Sequence, residues 1–119
     1  MFVTSQGTAH GRFTRAITRR QLRGAEIAAR ELGRSSSADA LALLLLINEE
    51  APHRSERAAA RWVSLFLDAA GSMTLADIEL TVVSLGALMR GSPSAAGVLA
   101  SVAEAYRVPN VAAYCDDAV

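Results

Sequence analysis

Few side chains in this 119-residue chain are suited to acid–base, nucleophilic or metal chemistry, and they lie far apart in the sequence. They are His10, His53, Cys115, Glu49 and Glu50. A catalytic histidine needs a group that orients its ring, and neither histidine has a carboxylate at a sequence spacing that would provide one. Cys115 precedes two aspartates and lacks the positive neighbours that activate a thiol. We therefore predict that the protein is not an enzyme and has no catalytic, cofactor-binding or metal site.

Arginine is the residue type whose distribution carries the most information about binding. All twelve basic residues are arginine, and the net charge is +0. Up to Arg34 the chain has seven arginines and two glutamates, a balance of +5, and the remainder has the opposite balance. The candidate contacts to a partner or to phosphate are Arg12, Arg15, Arg19, Arg23, Arg30 and Arg34. Such asymmetry favours nucleic-acid binding, head-to-tail self-association or an intramolecular match between the two ends.

A second group of arginines, Arg54, Arg57 and Arg61, lies on one stripe of a predicted helix. Glu56 and Asp68 occur on the same helix and are available to neutralise them. Phe13 is the one aromatic residue near the first group and is expected to face the core, so neither group has the aromatic platforms that stack nucleic-acid bases. We interpret both groups chiefly as solvated helix faces.

Length and composition indicate one folded domain. The apolar fraction is 51% and the charged fraction 20%, values typical of globular chains. A single cysteine suits a reducing compartment, and the longest apolar run, Leu41 to Ile47, is far shorter than the roughly 20 residues that cross a bilayer. We expect a cytoplasmic protein without a membrane partner, with an N-terminal tail over 1–8, a helical domain over 9–107 and a C-terminal tail over 108–119.

Apolar residues recur at helical spacing throughout the domain, and no stretch alternates with period two. The first predicted helix spans about 9–19, with Phe13 and Ile17 on its apolar face, and the second spans about 22–32, unless one bent helix covers both. Gly33 is expected to end the second helix with a positive φ. Ser36, Ser37 and Asp39 predict the start of a third helix, whose leucine run is apolar on every side and therefore central.

Three more helices are expected in the second half of the chain. The fourth spans about 52–69 and has Trp62 as its core anchor. Thr74 is expected to cap the fifth, which aligns four apolar residues, Ile78, Val82, Leu85 and Met89. The sixth follows Pro93 and continues to about Tyr106. These elements predict an all-α protein of about six helices in three antiparallel hairpins, arranged as a compact bundle or as a short tetratricopeptide-like solenoid.

Residues 28–37, AARELGRSSS, resemble the first helix and turn of a bacterial DNA-binding helix-turn-helix. The following helix contains none of the arginine, asparagine, glutamine or lysine side chains that read base edges over 38–46. We therefore interpret this segment as an ordinary packing unit of two helices.

A broader resemblance covers about residues 12–107. It is carried by RFTRAI at 12–17, AEIAARELG at 25–33, DALAL at 39–43 and RAAARW at 57–62. These segments are similar to those of small actinobacterial all-helical proteins that have no assigned activity. The resemblance implies a helical fold and a bacterial source, and it transfers no functional residue. Our functional expectation is a non-enzymatic protein–protein interaction module, with a protein partner or a second copy of the chain, and the alternative is a nucleic-acid-binding regulator.

Overall fold

The computed structural model describes residues 8–33, 36–109, 111 and 115, most of which lie in six α-helices. The helices are α1 (Ala9–Thr18), α2 (Leu22–Leu32), α3 (Ser37–Glu50), α4 (Ser55–Ala70), α5 (Leu75–Met89) and α6 (Ser94–Ala105). Within the described residues there is no β-strand. The predicted all-α class is confirmed, and α1 with α2, α3 with α4, and α5 with α6 pack as consecutive helical hairpins.

Side-chain caps start the helices at the positions that the sequence predicts. Ser36 Oγ accepts a hydrogen bond from the backbone N–H of Asp39 at 3.1 Å, and Thr74 Oγ1 accepts one from Asp77 at the same distance. Each bond satisfies an N–H group that has no partner inside the helix. Gly33 follows α2 with a φ of 72°, so the predicted stop is confirmed, and α1 and α2 are separate helices rather than one bent helix.

The fourth helix begins later than predicted. Pro52–Arg54 form a short 3-10 helix, and α4 starts at Ser55. The reason is that the Arg54 N–H bonds to the carbonyl of Ala51, three residues back, at 2.8 Å.

The larger hydrophobic core is shared by α3, α4, α5 and α6. Trp62 is 1% exposed, and its ring stacks on Phe66 with 5.0 Å between ring centroids. The indole N–H donates to the carbonyl of Ser37 at 2.9 Å, which fixes α4 to the first turn of α3. Trp62 is thus the core anchor that its position predicts.

The core also extends beyond the predicted end of the domain. Val108, Val111 and Cys115 are buried in the larger core cluster although they lie in the stretch expected to be a C-terminal tail. The predicted end of the helical domain at residue 107 therefore excludes three residues that belong to the core. Residues 1–7 of the expected N-terminal tail lie outside the described residues, and Thr8 caps α1.

A second, smaller core cluster holds the α1–α2 hairpin. It consists of Phe13, Ala16, Ala25, Ala28 and Leu46, and only Leu46 comes from outside the hairpin. The two helices approach closely because small residues face each other. A Cβ placed on Gly24 would lie 3.6 Å from that of Ala16. The packing face of α2 is rich in alanine, with Ala25 and Ala28 buried.

Helix α5 is rotated relative to the expectation. Val82, predicted to share a face with Leu85, is 49% exposed, whereas Thr81 and Ser84 are buried beside Leu85. The prediction failed because α5 is apolar around most of its circumference, so hydrophobic periodicity does not indicate which side faces the core. The small side chains on the inner side suit α6, which packs through four buried alanines, Ala95, Ala96, Ala100 and Ala103.

Successive hairpins contact each other through α2 and α3 and through α4 and α5. The molecule measures 50 Å along its long axis and 29 by 24 Å across it. The Asn48 side chain of α3 also donates to the carbonyl of Met89 at the end of α5, at 2.8 Å, and so joins the second hairpin to the third. Each helix in the described part of the chain is too short or too polar to cross a bilayer.

Candidate partner-binding groove

The structure places the candidate arginines of the N-terminal half on several different surfaces. Arg12 of α1 contacts Glu31 of α2, with 2.7 Å between Nη2 and Oε1. Arg15 is half-buried in the last turn of α1, and Arg19 is exposed at its C-cap. Arg23 and Arg30 are exposed on α2. Arg34 lies outside the described residues.

Some arginines form ion pairs with acidic residues of other parts of the chain. Arg20, in the turn between α1 and α2, forms an ion pair with Glu49 at the end of α3. Arg54 forms another with Glu26 of α2, rather than with the Glu56 of its own helix region. The hydrogen bond to Glu26, together with the negative charge of that carboxylate, raises the pKa of Arg54 above its ordinary value. The Arg20–Glu49 pair therefore forms part of the intramolecular match that the sequence allowed, whereas the Arg54–Glu26 pair joins an arginine of the acidic half to an acid of the basic half.

An open groove of about 840 Å³ lies between α2 and α4, with α3 beneath it. Its apolar lining includes Leu43 and Ile47 of α3, and Trp62 and Leu65 of α4. Leu65 is 38% exposed, so the apolar surface continues from the floor onto the α4 edge. We call this feature the α2–α4 groove.

Arginines border the α2–α4 groove on both sides. Arg30 lies on the α2 side, and Arg57 and Arg61 lie on α4. None of these three forms an ion pair with another described residue. The other charged residues of the lining are Arg54, Glu26 and Asp39. With four arginines and two acids in total, the lining has an excess of two positive charges.

The groove unites residues that the sequence separates. Arg30 belongs to the candidate set, whereas Arg57 and Arg61 were assigned to a different, solvated stripe. Sequence reasoning missed Leu65 as a groove residue. A signal was present, because Arg57, Arg61 and Leu65 follow one another every four residues and so form a continuous line on α4.

His10 has a carboxylate partner that sequence spacing did not reveal. Its Nε2 atom lies 3.3 Å from Asp39 Oδ2, so the pair joins the first turn of α1 to the first turn of α3. The expectation that no acid orients this histidine is therefore wrong, because the contact depends on how α1 folds back over α3. Cys115 is buried in the larger core cluster. Among the described residues, no group of three or more histidine, cysteine, aspartate or glutamate side chains is placed to hold a metal.

Helix α3 occupies the position of a recognition helix after the helix-turn-helix-like segment. Its side chains face the interior, since Leu41 and Leu44 are 0% and 2% exposed. It also contacts α2 and α4 and supplies the floor of the groove. This helix is thus a core element, unlike the exposed recognition helix of a DNA-binding helix-turn-helix.

The fold and the groove define an all-α protein with an arginine-edged apolar groove. Comparison with known protein families, curated proteins and solved structures gave no match. The resemblance to small actinobacterial helical proteins and the tetratricopeptide-like arrangement stay predictions.

Proposed function

We propose that the protein is a non-enzymatic interaction module whose α2–α4 groove binds an acidic amphipathic helix of a protein partner. The observation that carries the proposal is an apolar floor bordered by arginines that have no ion pair within the described residues. A cytoplasmic location in a bacterial cell is part of the same proposal and is consistent with a buried free thiol at Cys115.

The shape of the groove favours a helical ligand. Two neighbouring helices that both pack on a third leave a channel between them, and another helix fills such a channel by placing apolar residues from successive turns into it. Leu43, Ile47 and Leu65 provide the apolar surface for these residues.

The positive charge of the groove favours a ligand that carries negative charge. Arg30 and Arg57 stand on opposite sides of the channel, so a helix lying in it would have an arginine on each flank. Glutamate or aspartate on both flanks of the ligand would form charge-assisted hydrogen bonds with them. A basic ligand would instead place like charges against Arg30, Arg57 and Arg61.

The proposal can be tested by selecting binders from a displayed library of random peptides about four helical turns long. Wild-type protein should enrich peptides with leucine, isoleucine or phenylalanine at helical spacing and with acidic flanks. Affinity for the enriched peptides, measured by fluorescence anisotropy, should fall at least about tenfold in the double variant Arg57→Glu and Arg61→Glu. The matched control is Arg19→Glu with Arg23→Glu, which changes the net charge equally at exposed sites outside the groove lining.

Different outcomes separate the groove from other modes of binding. Enrichment of basic peptides, or equal losses in the two double variants, would contradict the proposal. A salt-titrated mobility shift with mixed DNA and RNA tests the nucleic-acid alternative. Binding that weakens steeply with salt and is lost in the variant with Arg12, Arg15 and Arg19 replaced by alanine would favour that alternative, because each neutralised phosphate releases counterions.

A further inference from the structure

Helix α5 carries the most exposed apolar surface among the described residues, and the α2–α4 groove does not include it. Leu75 is 73% exposed, Val83 is 65% exposed, and Val82 is 49% exposed. Leu80 is 42% exposed beside them. Large aliphatic side chains that cluster on one helix face are typical of surfaces that another macromolecule covers.

The core-facing side of α5 supports the interpretation of its exposed side as an interface. The helix places the small polar residues Thr81 and Ser84 against the core beside Leu85, and leaves four large aliphatic residues exposed. At 3.6 residues per turn, Leu75, Val82 and Val83 lie on the side opposite Thr81 and Ser84. A helix that is apolar around most of its circumference is typical of one that is buried on both sides. The outer face of α5 therefore has the composition of an interface.

Two charged residues lie on this outer face, Glu79 and Arg90, and both are exposed. They are separated by eleven residues, which is about three helical turns, so they are aligned along the helix and lie about 16 Å apart. The Arg90 guanidinium folds back over Gly86, where Nη1 would be 3.3 Å from a Cβ. Neither residue has an ion pair with another described residue.

We propose that α5 packs against α5 of a second copy in an antiparallel pair related by a two-fold axis. In this arrangement Glu79 of each copy lies opposite Arg90 of the other. The same register places Val82 opposite Ala87. It also places Val83 opposite Gly86, which the Arg90 guanidinium uncovers when it reaches across to Glu79 of the other copy. The charges at the ends and the small residues between them make the face complementary to itself, as a two-fold interface requires.

The size of the surface sets the expected strength of the dimer. One helix face buries less than the roughly 800 Å² per partner of standard stable complexes. Val98 of α6, which is 37% exposed, is a further apolar residue of the same hairpin. We expect a dimer that dissociates on dilution through the micromolar range.

The test is a set of charge reversals at the two aligned positions, with sedimentation velocity over a range of concentrations. Wild-type protein should pass from monomer to dimer as its concentration rises. Glu79→Arg and Arg90→Glu should each raise the dimer dissociation constant at least about tenfold, because each places like charges opposite one another twice. An equimolar mixture of the two single variants should associate again, as should the variant that carries both changes.

The mixture is the most specific part of the experiment. Loss of association in each single variant together with recovery in their mixture is expected only of a pairing that brings residue 79 of one copy to residue 90 of the other. Glu56→Arg, at an exposed position elsewhere, should leave the dimer unchanged. Val83→Ser should weaken association, whereas Ile27→Ser, at a residue that is 49% exposed on α2, should not.

The proposal is overturned if wild-type protein stays monomeric at the highest soluble concentration, since another partner would then cover α5. It is also overturned if the protein dimerises but the two single variants retain wild-type affinity, because the register would be wrong. The Arg57→Glu and Arg61→Glu double variant should dimerise normally, so failure of the groove proposal and failure of this one are separable.

Discussion

Replacing Trp62 with alanine is expected to lower the free energy of unfolding by about 3–5 kcal/mol. Trp62 is 1% exposed, and the substitution leaves a cavity beside Phe66 at the centre of the larger core. It also removes the N–H that satisfies the carbonyl of Ser37. Because domains of this size are stable by only about 5–15 kcal/mol, the loss is a large fraction of the total.

Urea titration followed by far-ultraviolet circular dichroism would measure this loss, since Trp62 is the chain's one tryptophan and its fluorescence would be absent from the variant. Trp62→Phe should cost less, because an aromatic ring still fills most of the site, and the losses are the N–H and the volume of the second ring. Leu75→Ala, at a residue that is 73% exposed, should change stability by no more than about 0.5 kcal/mol. Equal effects of Trp62→Ala and Leu75→Ala would contradict the assignment of Trp62 as the anchor.

Gly71→Ala is expected to destabilise the protein by about 1–3 kcal/mol. Gly71 ends α4 with φ 81° and ψ −126°, a conformation that residues with a side chain rarely adopt. The space around it is open, with nothing within 4 Å of the position that the added methyl group would occupy, so the cost would come from the backbone and not from a clash. Thermal or urea unfolding of the purified variant measures it.

The matched control is Gly97→Ala in the middle of α6. A Cβ at Gly97 also meets nothing within 4 Å, but its backbone is helical. Alanine is the better helix former, so this change should stabilise the protein by about 0.5–1 kcal/mol. Opposite signs for the same chemical substitution would confirm that φ decides the outcome, whereas equal signs would contradict it.

The helices could be predicted from the sequence because their ends are encoded locally. Ser36 and Thr74 cap the helices that follow them, and Gly33 ends α2, each within a few residues of the element concerned. Such interactions need no knowledge of the rest of the fold. The buried positions of Trp62 and Phe66 were also clear, because α4 has distinct polar and apolar faces.

The orientation of α5 and the groove could not be predicted in this way. An evenly apolar helix leaves several rotations with similar hydrophobic burial, and tertiary packing against the alanines of α6 selects one of them. Arg30 and Arg57 share a groove only because α2 and α4 both border α3. The same holds for His10 and Asp39, since sequence spacing carries no information about contacts between different hairpins.

The division of the interior into two core clusters has a consequence for motion. The α1–α2 hairpin is held mainly by small alanine contacts, whereas α3 to α6 share the large aromatic and aliphatic cluster. Regions with less buried apolar surface open at a lower free energy than the whole molecule. Amide hydrogens of α1 and α2 should therefore exchange with solvent faster than those of α3 and α4. One wall of the α2–α4 groove belongs to this hairpin, so a ligand bound there would slow exchange in α1 as well as in α2.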